Sequence, residues 1–427
     1  MNTNENDMDS NNTSSRIPKL RFPGFTGEWE ELPLSHFLFE HKTKSDGKCE
    51  VHSVSVTKGV VNQAAYLGRS YAAADTSKYN LAKPNDIIYT KSPTGAFPYG
   101  IVKQNKNPYN VIVSPLYAVY TPINKYIGYI LDSYFESPVN TNNYLSSLVQ
   151  KGAKNTIQIT NETFISKSVC FPTDPAEQQK IASCLSELDN LIAAQGQKVD
   201  TLKEKKKGLM QQLFPQEGET SPRFRFPGHT GDWHVEELGN VAERVSVGLA
   251  TSVTPYYRSK GVVMFRNLNI KADELDDRDI LYLDEAFAEA NPSKKIHAGD
   301  VLTVHTGYVG ISCIVPEKYD GALTFTTLVT TTKKNVLSPR FLCCYLNSDA
   351  GAKEIVKLQA GGGRNNLNVN DFIRLHVPLP PSITEQTKIA ECLTALNNVI
   401  SSESAKLDAL KDHKKGLMQQ LFPQPEK

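Results

Sequence analysis

Residues Lys206–Gln216 read KKGLMQQLFPQ, and the same run returns unchanged as Lys414–Gln424. Each copy ends a stretch whose apolar residues recur at alternating steps of four and three. From Ile181 the pattern passes through Leu185, Leu188, Ile192, Gln195, Val199, Leu202, Lys206 and Leu209 to Leu213. From Ile389 it passes through Leu393, Leu396, Ile400, Glu403, Leu407, Leu410, Lys414 and Leu417 to Leu421. A seam of this period predicts two long helices built to pack on another helix over about four heptads, although each could instead lie along its own domain. Glu177 and Glu385 fall in the predicted first turns, where a carboxylate favours the helix dipole, and Pro215 and Pro423 stop the helices. Both seams carry polar residues at the same two positions. An antiparallel pairing would set Gln195 opposite Glu403 as a register pair and leave Lys206 and Lys414 near the ends, free to snorkel.

A second echo pairs Pro18–Trp29 (PKLRFPGFTGEW) with Pro222–Trp233 (PRFRFPGHTGDW), which contain the two tryptophans of the chain. The chain therefore repeats one plan: a proline- and aromatic-rich leader, a globular stretch, then a helix. Runs such as Asp86–Tyr89, Val111–Ser114, Leu116–Tyr120, Val262–Phe265 and Ala322–Thr331 have the β-branched and aromatic content of strands. Tyr126–Ser133 and Pro339–Asn347 read as short helices. The expected fold class is α+β: two mixed α/β globular domains separated by two long antiparallel coiled-coil helices, a pseudo-twofold tandem repeat. Expected boundaries are a disordered tail over 1–17, a first domain over 18–172, its helix over 173–216, a second domain over 217–381 and its helix over 382–427. Such a helix spans on the order of 50 Å at 1.5 Å per residue, so the pair would act as a ruler between the two heads.

Composition sets outer limits. With 427 residues, 39% hydrophobic and 22% charged, the chain has room for two to four ordinary soluble domains. A net charge of +1 leaves a local basic face open. The seven cysteines show no CxxC spacing and the histidines form no ligand cluster, which points away from structural zinc and toward a reducing, cytoplasmic setting. No apolar run is long enough to span a membrane.

Catalytic signatures are missing from the sequence. It has no P-loop, and its glycine run, Gly361–Gly363, lacks dinucleotide spacing. It has no Asn/Asp-Pro-Pro-aromatic tetrad, and Glu204-Lys205-Lys206 meets a nuclease E-x-K pattern by chance alone. A self-sufficient DNA methyltransferase or nuclease would need such motifs. A coiled-coil scaffold carrying two unrelated binding modules would not, and stands as the alternative to a recognition protein.

The repeated plan, the leaders ending in tryptophan, the paired Glu177-Gln178-Gln179-Lys180-Ile181 and Glu385-Gln386-Thr387-Lys388-Ile389, and the GLMQQLFP ends resemble the specificity subunits of type I restriction–modification systems over residues 18 to 424. Lys91–Gly95 with Pro98–Gly100 and Val113–Tyr117 is similar to one subtype of target recognition domain. Ala298–Leu302, Thr306–Gly310 and Gly361–Arg364 are similar to another. Asn85 stands where the second copy has Gly299, which leaves that turn's geometry open. The resemblance implies a non-catalytic reader of a split target on double-stranded DNA, with one recognition domain for each half. It implies two modification (methyltransferase) subunits as partners, which would carry S-adenosylmethionine, and restriction/translocation subunits beside them. No cofactor is expected in this chain.

Base reading calls for amide, hydroxyl and guanidinium groups, and backbone contact for cations on phosphate. In the first domain the candidates are Lys91, Ser92, Thr94 and Tyr99, with Lys103 and Lys106 on phosphates. In the second they are Arg266, Asn267, Asn269, His305, Thr306, Arg364, Asn365 and Asn366. Leu209, Met210, Leu213 and Phe214 with Leu417, Met418, Leu421 and Phe422 offer the same apolar surface twice, and so are the candidate docking surface for two copies of a partner.

Overall fold

A computed structural model describes residues 16–151, 157–360 and 366–423. The chain divides into two compact units, one taking Met1–Gln195 and Lys406–Lys427, the other Gly196–Ala405. Each long helix is a single element, Pro175–Leu213 or Ile383–Leu421, and each begins in one unit and finishes in the other.

The first unit is built on a four-stranded antiparallel sheet. Its strands lie in the order Leu38–Glu40, Ala118–Pro122, Ile87–Tyr89, Val102–Gln104. Its ends are pinned together by Glu30–Pro33 pairing with Ser168–Phe171. The second unit repeats the plan in the order Ala242–Val247, Thr327–Thr332, Val301–Val304, Ser312–Ile314, closed by His234–Glu237 against His376–Leu379. Beyond these sheets the units diverge. The first carries the hairpin His52–Ser55/Gly59–Asn62, and the second a further sheet of Tyr257–Arg258, Leu281–Leu283, Val262–Arg266 and Leu323–Phe325.

Most expected elements form where the periodicity put them. The run Ala322–Thr331 does not form one strand: Thr326 sits at φ 46°, in the left-handed region, and splits it between the two sheets of its unit. Asn85 and Gly299 hold φ values of 71° and 88°, so the two turns share one geometry, asparagine being the non-glycine residue that tolerates it best. Each turn ends in a buried aspartate that accepts three bonds. Asp86 takes Lys83 N at 2.7 Å, His41 Nε2 at 2.8 Å and Thr121 Oγ1 at 2.9 Å. Asp300 takes His297 N at 2.9 Å, Arg244 Nη2 at 3.1 Å and Thr331 Oγ1 at 2.6 Å. Of the tail expected over 1–17, residues through 15 lie outside those described. Arg16 belongs to the first unit, its carbonyl accepting Trp29 N at 3.1 Å.

The Glu-Gln pairs at the helix starts lock leader to helix. Glu177 is buried and accepts Arg21 Nε at 2.7 Å, Arg21 Nη2 at 2.9 Å and Trp29 Nε1 at 3.2 Å. Glu385 accepts Arg225 Nε and Nη2 at the same 2.7 and 2.9 Å. Gln178 joins Asn124 Nδ2 to Pro172 O, both at 2.8 Å. Gln386 joins Ser338 N at 2.8 Å to Val336 O at 2.9 Å.

The ends of the helices are core. Met210, Leu213 and Phe214 are buried in the second unit's hydrophobic cluster beside Trp233 and Phe341, with Leu209 packed against it. Met418, Leu421 and Phe422 are buried in the first unit's cluster beside Trp29 and Phe171, with Leu417 packed against it. The expectation of a docking surface is therefore corrected for Met210, Leu213, Phe214, Met418, Leu421 and Phe422, since an apolar side chain buried in its unit's own core has no face left for a partner, while Leu209 and Leu417 are partly buried against those cores. Snorkelling is corrected too. Lys414, 7% exposed, ion-pairs with Glu136 and Asp189, each at 2.6 Å, and Lys206 ion-pairs with Asp273 at 2.6 Å.

Within the second unit the two helical segments run antiparallel. Lys198 Nζ reaches Glu403 at 2.9 Å, and further along Asp273 joins Lys206 of one segment to Asn397 Nδ2 of the other at 2.9 Å. Glu403 thus finds a cation within its own unit. Gln195 ends the first unit's share of its helix, and its pairing with Glu403 stays an expectation.

Candidate nucleic-acid interface

In both units the loop between the third and fourth strands of the central sheet holds candidate readers. In the first unit this is Thr90–Ile101, linking Ile87–Tyr89 to Val102–Gln104. In the second it is His305–Ile311, linking Val301–Val304 to Ser312–Ile314. Two stretches chosen separately from the sequence thus occupy one topological position.

The first loop is anchored from within. Lys91, at φ 60°, donates to Asn161 Oδ1, and Asn161 Nδ2 in turn donates to Glu40 Oε1 at 2.7 Å. Burial pushes the Lys91 pKa down, partly offset by Glu40. Tyr99 packs on the core and its carbonyl accepts Tyr89 OH at 2.7 Å. Ser92 and Thr94 remain exposed, on a tight turn closed by Thr94 N and Phe97 O at 3.0 Å. Lys91 also lines a cleft of about 190 Å³ with Lys42, Lys44, His41 and Asn80.

Two lysines expected on phosphates are placed elsewhere. Lys103 is only 8% exposed, so it is withdrawn as a phosphate contact. Lys106 ion-pairs with Asp132 at 2.7 Å and lies 4.2 Å from the centre of the Tyr129 ring, which commits it to the helix Lys125–Glu136. Both misplacements have one cause. Asp132 is buried, a penalty against its charge, yet Lys106 and Lys103 outweigh that penalty and hold its pKa below the usual value.

The second unit brings its candidates together more fully. Asn267 Nδ2 donates to Thr306 Oγ1 at 2.8 Å, while Thr327 Oγ1 donates to Asn267 Oδ1 at 3.1 Å. Thr306 forms an isolated antiparallel bridge with Asn366, and Leu367 N donates to His305 O at 3.0 Å. Arg266 lies at the edge of this group, its Nη2 on Asp279 at 2.8 Å. Asn269 is corrected: fully buried, it accepts Arg266 N at 2.9 Å and donates to the carbonyls of Asp276 and Asp279, which makes it a turn former out of reach of a base edge. Arg364 and Asn365 lie outside the described residues.

Sequence reading missed several exposed aromatic and apolar side chains. Tyr308 is 85% exposed within the second loop, Leu268 follows Asn267, and Leu116 tips the turn before Ala118–Pro122. Tyr71 is exposed with Arg69 stacked 4.5 Å above its ring. A lone aromatic between two glycines, as in Gly307-Tyr308-Val309-Gly310, was the available signal for Tyr308. Among the described residues no group of His, Cys, Asp and Glu could hold a metal ion, and no helix is long and apolar enough to cross a membrane.

Two mixed α+β units of one design, each with a different loop at the same place in its sheet, define a tandem-repeat protein. The chain belongs to the family described as the type I restriction modification DNA specificity domain, whose model matches residues 38–204 and 231–412, one stretch for each repeat. It is 24% identical over 267 residues to the type I restriction enzyme MjaVIII specificity subunit of Methanocaldococcus jannaschii, an alignment covering 60% of this chain and 62% of that protein. The chain thus matches about three-fifths of the length of that curated relative. A crystal structure of a type I restriction–modification S subunit from M. genitalium shares the fold, with a TM-score of 0.60 at 13% identity, covering 95% of this chain and 99% of that one. A chain from a study of the assembly and conformational transition of the type I R–M system aligns with a TM-score of 0.51 at 15% identity, covering 93% and 98%.

Proposed function

We propose that this chain is the DNA-reading specificity subunit of a type I restriction–modification complex, each unit reading one half of a split target on double-stranded DNA. The observation that carries this reading is the equivalence of Thr90–Ile101 and His305–Ile311: one position in one design, filled by unrelated sequences. A duplicated frame with divergent loops suits two half-sites of different sequence, whereas a scaffold for identical partners would keep its loops alike.

In this reading the subunit performs no chemistry. Two modification subunits bring S-adenosylmethionine and methylate adenine, and restriction/translocation subunits join the same complex. Because the apolar helix ends are core, docking falls to the outward faces of the helices. There Leu191 and Val399, equivalent in the two repeats, are both exposed, as are Lys207 and Lys415. Equivalent positions on two matched helices would bind two copies of one partner. Arg364 and Asn365 remain proposed contacts of the second half-site.

Single-molecule sequencing of methylated adenines in cells with and without the gene tests the proposal. Loss of one split motif, with both halves and the spacer disappearing together, is the expected result. An unchanged pattern in cells that express the modification partner would overturn it.

A further inference from the structure

Arg266 ends the strand Val262–Arg266, and a closed ring of bonds fixes it there. Its backbone N donates to Asn269 Oδ1 at 2.9 Å, and Asn269 Nδ2 donates to the carbonyl of Asp279, also at 2.9 Å. Asp279 closes the ring: its carbonyl and its Oδ2 accept Arg266 Nη2 at 3.0 and 2.8 Å. Asn269 is 1% exposed, so the amide that joins the two is sealed from water. Main chain and side chain of the arginine are thus both held before any ligand arrives, which leaves little rotamer freedom to lose on binding.

The same bonds decide which hydrogens of the guanidinium remain. Two acceptors on Asp279 engage Nη2. Nε is buried and meets no partner among the described residues. Nη1 also makes no bond among the described residues, but it is not enclosed, so its hydrogens are the ones presented outward. A guanidinium only donates. In the major groove guanine alone sets two acceptors, O6 and N7, side by side, whereas adenine puts a donor beside N7, thymine shows one acceptor and cytosine a donor.

Phosphate is the other acceptor on DNA, and the charges here disfavour it. The Asp279 side chain, 72% exposed, sets a carboxylate against Arg266, while Arg278 is engaged by Asp276 at 2.7 Å and Lys318 by Asp277 at 2.6 Å. Those cations are each neutralised by an acid, and a phosphate brought to Arg266 would meet the Asp279 charge as well. A neutral base edge would not.

We propose that Arg266 reads a guanine in the half-site bound by the second unit, and that Asp279 is its positioning residue. The inference rests on the DNA-reading function above and gives it a base. Arg266 joins the variable loop through its neighbour Asn267, whose Nδ2 donates to Thr306 Oγ1 at 2.8 Å.

The test uses the full chain with its modification partner, on duplexes carrying the split target found by methylation mapping. Each guanine is replaced in turn by 7-deazaguanine, which lacks the N7 acceptor, and by hypoxanthine, which keeps O6 and N7. Wild-type affinity should fall roughly tenfold with 7-deazaguanine at a guanine of one half, and hold with hypoxanthine there. Arg266→Ala should weaken binding to the natural target by as much and lose nothing further to 7-deazaguanine at that position, since one contact cannot be lost twice. Asp279→Asn should reduce the preference for G·C over A·T there severalfold while binding to unrelated duplex holds. Equal weakening of both by Asp279→Asn would overturn the positioning role. No guanine sensitive to loss of N7, or full additivity of Arg266→Ala with 7-deazaguanine at every sensitive guanine, would overturn the inference and leave DNA reading intact. Equal loss by Arg266→Ala on target and unrelated duplex would assign Arg266 to phosphate and overturn it likewise. Absence of any sequence-specific binding by the wild-type complex would overturn the DNA-reading function, and this inference with it.

Discussion

The ammonium of Lys206 lies 2.6 Å from the carboxylate of Asp273, and that one carboxylate also accepts Asn397 Nδ2 and Asn347 Nδ2, each at 2.9 Å. Asp273 itself stands at φ 64°, so a strained turn is held in place by the bonds it makes. In the repeated segment the counterpart of Lys206 is Lys414, which meets Glu136 and Asp189 in the first unit. Two lysines that look like defects in an apolar seam are therefore anchors between helix and globular fold.

Asp273→Ala should destabilise the second unit by roughly 3 kcal/mol, because it strands a largely buried lysine and unties two amides. Urea unfolding followed by circular dichroism measures this. A midpoint unchanged from wild type would show that the network contributes nothing.

Glu177→Gln removes the carboxylate that binds both Arg21 and the Trp29 indole, and should cost roughly 2–3 kcal/mol. Trp29 emission should change with it. Glu385→Gln should cost a similar amount with little spectral effect, because Nε1 of Trp233 has no such partner among the described residues. Comparing the two emission spectra checks the asymmetry.

The pH response of the first unit follows from Asp132, whose folded pKa is depressed below its ordinary 3.8. A carboxylate depressed on folding contributes stability that is fully present above the unfolded pKa and is lost as pH falls through the folded one. The first unit should therefore lose melting temperature below about pH 4, and Asp132→Asn should lower stability at neutral pH while flattening that acid limb. Lys414 works at the other extreme. Burial opposes its charge, yet Glu136 and Asp189 outweigh that and raise its pKa above 10.5, so its contribution holds through neutral pH and disappears only in strong alkali.

A chain ending after Gln216 lacks Leu417, Met418, Leu421 and Phe422, which complete the first unit's core, but carries the identical Leu209, Met210, Leu213 and Phe214. Such a half-chain should form a dimer by exchanging helix ends. Sedimentation across a concentration series should show association coupled to folding. A stably folded monomer at low micromolar concentration would contradict the reading.

Thr306→Ala should cost about 1–3 kcal/mol of discrimination if Thr306 reads a base edge, and should do so in one half-site only. Binding to targets altered in either half separates base reading from a uniform loss across sequences, which would assign Thr306 to the backbone.

By itself the sequence determined the repeat, the two long helices, their limits and the mixed character of the heads, because periodicity and cap chemistry are local properties of the chain. The Glu-Gln signature was visible too, although its partly buried partners Arg21 and Arg225 lie more than a hundred residues away along the chain. Tertiary structure alone decided which core each helix end completes. Identical segments fit either socket equally well, and no local pattern distinguishes them. It also buried Lys103 and made Asn269 part of a turn, since the placing of a polar side chain depends on what folds against it. The same holds for Tyr308: composition marks an aromatic residue, but only the packed loop around it keeps the ring in solvent.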